Sequence, residues 1–191
     1  MSLPTPQFSD ERIFQWLGND VDGVPYYLQP LNLAWSSDGA EHDLKHYQAV
    51  ASKLAADPAY WAQNIRAPNW RNTLAACVCL LVSGRHDFFD DLCYRFCASS
   101  FVSPQIGVTL GLLHGPLARS FFKSALQAQT LRLKQAYSAH YVLLRLGVEP
   151  GDEYSVPEAQ NDLERDDAVL ADRVVTAHWN FWASRVPGTD T

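Results

Sequence analysis

Asn69-Trp70-Arg71-Asn72-Thr73-Leu74-Ala75-Ala76-Cys77-Val78-Cys79-Leu80-Leu81-Val82-Ser83-Gly84 decides how this chain is read. A short cap sequence, Asn69-Trp70-Arg71, opens a helix that is apolar nearly all round from Leu74 to Val82. That is the pattern of a helix covered on several sides, so it is expected at the centre of the fold. Gly84 suits the position just past a helix C-terminus. The next stretch then places Phe88, Phe89, Leu92, Cys93, Phe96 and Cys97 on one stripe of period 3.6, with Asp90, Asp91 and Arg95 off it.

The same construction recurs. Ser103-Pro104-Gln105 opens a second unit 34 residues after Asn69, with Ser103 as N-cap and Pro104 at the first helical position. Its alternation through Ile106-Gly107-Val108-Thr109-Leu110-Gly111-Leu112-Leu113 would suit a strand, but the Ser-Pro start and the flanking helices favour a helix. Gly107 and Gly111 then form a strip open to close approach by a neighbour. Gly115-Pro116 is expected to turn the chain into a partner helix carrying Leu117, Phe121, Phe122, Ala125 and Leu126. A looser third unit starts near Lys134-Gln135-Ala136 and carries Tyr137, His140, Tyr141 and Leu144. Three such units predict an all-α, HEAT-like stack of antiparallel helical hairpins, a single α-solenoid domain over residues 1–191. Residues 1–68 are the N-terminal helices and an aromatic loop, 69–146 the three repeats, and 147–185 an acidic segment and a capping helix.

Upstream, Ser9 is expected to cap a short helix ending at Gly18, and the aromatic stretch from Asn19 to Ser37 to lie over the helices as an ordered loop. Asp38 is expected to cap a helix through Leu44, Tyr47, Val50 and Leu54, and Asp57-Pro58 to start another with Tyr60, Trp61 and Ile65. Downstream, a long helix is expected between Pro157 and Arg185. Its stripe is Leu163, Asp167, Leu170, Val174, Ala177 and Phe181, and its aromatic end caps the stack.

Composition narrows the function. The 191 residues are 47% hydrophobic, with six Trp and nine Phe, which excludes disorder across the body. No apolar run is long enough to span a membrane, and Met1 to Pro6 has neither a basic start nor an apolar run, so a cytoplasmic protein is expected. The net charge of −6 is concentrated between Glu149 and Arg173. Nine acidic residues there (Glu149, Asp152, Glu153, Glu158, Asp162, Glu164, Asp166, Asp167, Asp172) face only Arg165 and Arg173. A nucleic-acid binder would need a basic stripe to neutralise phosphates, whereas an acidic segment attracts a basic protein. A solvated helix face is the plain alternative. Arg71, Gln105 and Gln135 occupy equivalent places early in the first helix of each unit, so stacking lines them up. There they either satisfy carbonyls between layers or face a partner.

Residues that could fit catalytic or metal templates also have structural roles. Ser83-Gly84-Arg85-His86-Asp87 gathers a hydroxyl, an imidazole and a carboxylate, but this stretch already serves as the turn and N-cap between two helices. Cys77, Cys79, Cys93 and Cys97 fall in apolar helical pattern and read as buried thiols. Cys77 and Cys79 project about 200° apart on one helix, so they do not converge on a zinc ion. His42 and His46 stand at i and i+4 without a third ligand. No metal and no cofactor is expected.

Asn69-Trp70-Arg71-Asn72-Thr73-Leu74-Ala75-Ala76, Phe88 with Leu92, Ala98-Ser99-Ser100, Gln105-Ile106-Gly107, Gln135, and Trp179 with Trp182 together resemble an uncharacterised family of small bacterial HEAT-like helical proteins. The similarity spans residues 26–182. It implies an all-helical fold with no assigned activity, and proteins of this build often act as immunity proteins that block a cognate toxin. The resemblance therefore suggests a non-catalytic protein-binding module that occludes a basic toxin domain. Its contacts would be Asp152, Glu153, Glu158, Asp162, Glu164 and Asp166 with Arg71, Gln105 and Gln135. This chain departs from the family pattern in the insertion from Glu149 to Asp167. The alternatives are a small hydrolase with a pocket built on His86, His140 or His178, or a dimerising structural subunit.

Overall fold

The computed structural model describes residues 31, 40–54, 57–98, 100–151 and 154–187. Over these residues the chain is all-α. The helices are α1 (Ala40–Leu54), α2 (Pro58–Arg66), α3 (Trp70–Ser83), α4 (Phe89–Cys97), α5 (Ser103–Gln127), α6 (Leu133–Arg145) and α7 (Asp162–Trp182). The β structure among the described residues is one isolated bridge, Gly151 to Tyr154. The expected helix at Ser9 and the aromatic loop lie outside the described residues, Leu31 excepted.

Local chemistry sets several boundaries. Asp57 accepts from the Tyr60 amide at 2.9 Å with Pro58 following, and Asn69 accepts from the Arg71 amide at 3.1 Å. α3 ends at Gly84 in the left-handed region, φ 61°. α5 begins at Ser103 itself, one residue earlier than expected, with Val102 as N-cap. Asp87 does not cap α4; Phe88 holds that position without a side-chain bond, and Asp87 pairs with Arg85 at 2.8 Å.

α3 lies at the centre, every residue from Asn72 to Val82 being buried, with α1, α2 and α5 as its neighbours. α5 in turn meets α3, α4, α6 and α7. Within α5 two helical segments meet at a kink where the sequence places its turn: His114, at φ −131°, ψ 24°, is non-helical, and Gly115-Pro116 follows at the start of the second segment. Pro116 lacks the amide that would bond the previous turn, which suits the first turn of the second segment. The lower half buries Ala118, Phe122, Ala125 and Leu126 but leaves Leu117 exposed. Phe122 and Phe121 meet Phe96 of α4 at centroid separations of 5.2 and 6.1 Å.

Three expected faces are corrected. Arg95 points inward at 6% exposure. Its guanidinium donates to Thr73 Oγ1 (3.2 Å), the Pro68 carbonyl (3.1 Å) and Ser100 Oγ (3.3 Å), tying α4 to α3 and two loops. On α6 the deepest positions are Ala139, Val142 and Leu143, while His140, Tyr141 and Leu144 are half-buried. On α7 the buried line is Ala171, Val175, His178 and Trp182, and Leu163 stands in solvent. Of the thiols, Cys77 and Cys79 are buried, Cys93 is half-buried and Cys97 is exposed. Burial pushes Cys77 and Cys93 up to about 12 and Cys79 higher still, so these thiols stay protonated.

Candidate functional site

Two features of α7 stand out, one on its outer face and one beneath its flank. The helix starts at Asn161, whose side chain accepts from the Glu164 amide at 3.0 Å, while the Glu164 carboxylate takes the Gln160 amide at 2.6 Å. Both carboxylates of this first turn, Asp162 and Glu164, also complement the helix dipole. From there Ala171, Val175, His178 and Trp182 follow at i, i+4, i+7 and i+11 as the buried line. Asp162, Asp166, Val169 and Arg173 repeat that spacing on the opposite side, and all four are exposed. Leu163 flanks them at 76% exposure, and Val169 is 67% exposed. Two aliphatic side chains thus stand in water inside a field of carboxylates: Glu158, Asp162, Asp166 and Asp172 are all exposed. Asp162 pairs with Arg165 at 2.7 Å. Asp172 accepts from Thr176 (3.1 Å), which in turn accepts from Arg145 (2.7 Å). Burial lowers the pKa of Lys134, and the half-buried Asp167 opposes that shift. Asp152 and Glu153 lie outside the described residues.

Beneath the flank, a cavity of about 330 Å³ opens between the first turn of α5, the start of α6 and α7. Leu31, Phe101, Pro104, Leu170 and Val174 give it apolar walls, and Lys134 and Arg173 bring cationic groups to it. Lys134 donates to the Phe101 carbonyl at 3.0 Å and lies 4.7 Å from the Phe101 ring centroid. Gln105, 5% exposed, donates through Nε2 to the Leu31 carbonyl at 3.5 Å; its Oε1 is buried with no hydrogen-bond partner among the described residues. His178, 3% exposed, likewise has no such partner for Nε2. Burial lowers the His178 pKa to about 4, with the Leu31 backbone opposing the shift, so the ring is neutral at pH 7.

The three aligned polar residues have different surroundings. Gln105 lines the cavity. Gln135 bridges helices: its Nε2 donates to the Phe96 carbonyl at the end of α4, and its Oε1 accepts from the Arg132 amide at 3.0 Å. Arg71 lies over the Trp70 ring, 4.4 Å from its centroid.

The histidines named for a pocket are also separated. His86 Nδ1 meets the Leu113 carbonyl at the kink of α5, and its ring stands edge-on to His114 at 5.7 Å. Ser83 bonds instead to the Cys79 carbonyl at 2.7 Å, so Ser83, His86 and Asp87 point to three different partners. His140 Nδ1 meets the Tyr154 hydroxyl at 3.3 Å. Only His178 reaches the cavity, whose described lining carries no carboxylate. Among the described residues no group of three His, Cys, Asp or Glu is placed to hold a metal ion, and no helix is long and apolar enough to cross a membrane.

Lys134, Arg173 and Leu31 did not stand out in the sequence. Leu31 is 74 positions from Gln105, and no spacing rule connects them. Comparison with protein-family models, curated proteins and solved structures gave no match for this chain.

Proposed function

We propose that the chain is a non-catalytic protein-binding module, a short HEAT-like stack whose acidic outer face on α7 docks a basic protein. The most concrete form of this reading is a bacterial, cytoplasmic immunity protein that neutralises a cognate toxin by covering it. The observation that carries it is the exposure of Leu163 and Val169 among Glu158, Asp162, Asp166 and Asp172. Large aliphatic side chains on an outer helix face cost free energy in water that a partner recovers. The surrounding carboxylates speed the encounter with a cationic surface and select against acidic partners.

The stack itself is supported by helix adjacency. α1, α3, α5 and α6 are successive neighbours, and α2, α4 and α5 form a second such series. That is the order expected when each hairpin packs only on the next.

The test is co-expression with the basic proteins encoded by neighbouring genes, scored for toxicity to the host, comparing the native protein with Asp162→Lys/Asp166→Lys. Glu164 is left in place because it caps α7. The reading expects growth protection and complex formation from the native chain and loss of both in the variant. Equal protection by the two would contradict it. Self-association through Leu163 and Val169, seen by sedimentation and abolished by Val169→Asp, would replace it with the dimerising alternative.

A further inference from the structure

We infer that the cavity between α5, α6 and α7 binds a small organic acid that has an apolar body and an N–H or O–H donor. This is a second site, beneath the flank of α7 and separate from the protein-docking reading.

The polar atoms specify the ligand. Gln105 Oε1 can only accept a hydrogen bond, and it is buried at the cavity without a donor among the described residues. His178 adds a second buried atom at the cavity, Nε2, which has no hydrogen-bond partner among the described residues and can accept in one tautomer of the neutral ring. Buried polar atoms in folded proteins are nearly always bonded, so two orphans lining one cavity point to a group that arrives from outside. That group must donate.

The cations specify a second feature. Lys134 uses its ammonium on the Phe101 carbonyl and has further protons to give, and Arg173 is exposed beside it. Both suit a carboxylate, and the guanidinium can hold one in two-pronged fashion. Between the two polar ends, Phe101, Leu170 and Val174 present apolar surface, and about 330 Å³ is the size of a small-molecule site. Donor, apolar body and carboxylate together describe para-hydroxyphenylacetate, which serves as the probe.

The full chain is titrated with para-hydroxyphenylacetate and followed by amide NMR shifts. Phenylacetate, which lacks the donor, and para-hydroxyphenylethanol, which lacks the charge, are the matched controls. The inference expects saturable shifts at Gln105, Lys134, Val174 and His178, with each control binding about tenfold more weakly. Gln105→Met should weaken the hydroxylated compounds and spare phenylacetate. Arg173→Ala, on an exposed position that leaves the fold intact, should weaken the two acids and spare the neutral alcohol. No saturable shift up to roughly 10 mM, shifts confined to other surfaces, or all three compounds responding alike to the variants would overturn it. The toxin co-expression assay is independent of all three outcomes.

Discussion

Gly111 and Trp179 share one space: a β-carbon on Gly111 would lie 2.8 Å from Cζ3 of Trp179 and 2.8 Å from Cγ1 of Val142. α5 has no side chain at that point, and the C-terminal helix lays an indole there instead. Gly107, one turn earlier, is less crowded, its β-carbon meeting Val142 Cγ2 at 3.3 Å and Phe96 Cε2 at 3.5 Å. The small-residue strip on α5 therefore receives α6 and α7 together, and it positions the α7 flank over the cavity.

Gly111→Ala should destabilise the protein despite the helix propensity it adds. The gain from replacing a mid-helix glycine is about 1 kcal/mol. Forcing Trp179 and Val142 apart costs about 1–3 kcal/mol, since both ends of the clash are packed. Gly107→Ala, with only a few tenths of an ångström to find, should be close to neutral. Denaturant unfolding of the two variants checks the order.

Arg95→Leu should cost about 1–3 kcal/mol, because it removes the donor to the buried Thr73 and Ser100 hydroxyls and to the Pro68 carbonyl, and with it the tie between α4, α3 and two loops. An exposed arginine on the same helix, as the apolar stripe of α4 alone suggests, would tolerate the change within about 0.5 kcal/mol. Equilibrium unfolding separates the two.

Stability should fall as pH drops from about 6.5 toward 4. The folded His178 ring stays neutral down to about pH 4, and burial holds His114 to a similar value. In the unfolded chain both take a proton near 6.5, so the unfolded state binds more protons throughout that window and gains on the folded one. For His178 the loss is on the order of 3 kcal/mol by pH 4. Above 6.5 the term is flat. His178→Gln should show a shallower decline over the same range when the midpoint of unfolding is followed against pH.

Val169→Asp and Asp166→Lys should leave folding unchanged within about 0.5 kcal/mol, because both side chains stand in solvent. Partner binding should nevertheless weaken in each. For Asp166→Lys the loss should fall mainly on the association rate and shrink as salt is raised. For Val169→Asp it should fall on dissociation. Surface-plasmon kinetics at two ionic strengths resolves both.

The helix starts and stops were legible because their causes are local. Asp57 with Pro58, Asn69 and Gly84 act within four residues of themselves, and each sits where its chemistry predicts. The all-α character was legible for the same reason, and the i, i+4 spacing of Gly107 and Gly111 marked a place for close approach without saying which helices fill it. What the sequence did not reveal depends on which helices meet. Apolar residues lie on both sides of α7, so the sequence alone puts Leu163 in its stripe; only packing against α5 and α6 selects Ala171, Val175, His178 and Trp182 as the inner line. Arg95 looked like a surface charge until three acceptors from separate segments converged on it. Gly115-Pro116 does mark an interruption, the two segments of α5 meeting at His114 and the second packing through Phe122 against Phe96. The cavity brings together positions 31, 105, 134 and 178, which share no local pattern.

Amide hydrogen exchange of the chain, alone and saturated with the basic partner it captures, tests the central claim most directly. Slowed exchange across Asp162 to Arg173 in the complex is the predicted footprint of docking on the acidic face. Protection confined to other helices, with the α7 amides exchanging as they do in the free protein, would contradict it.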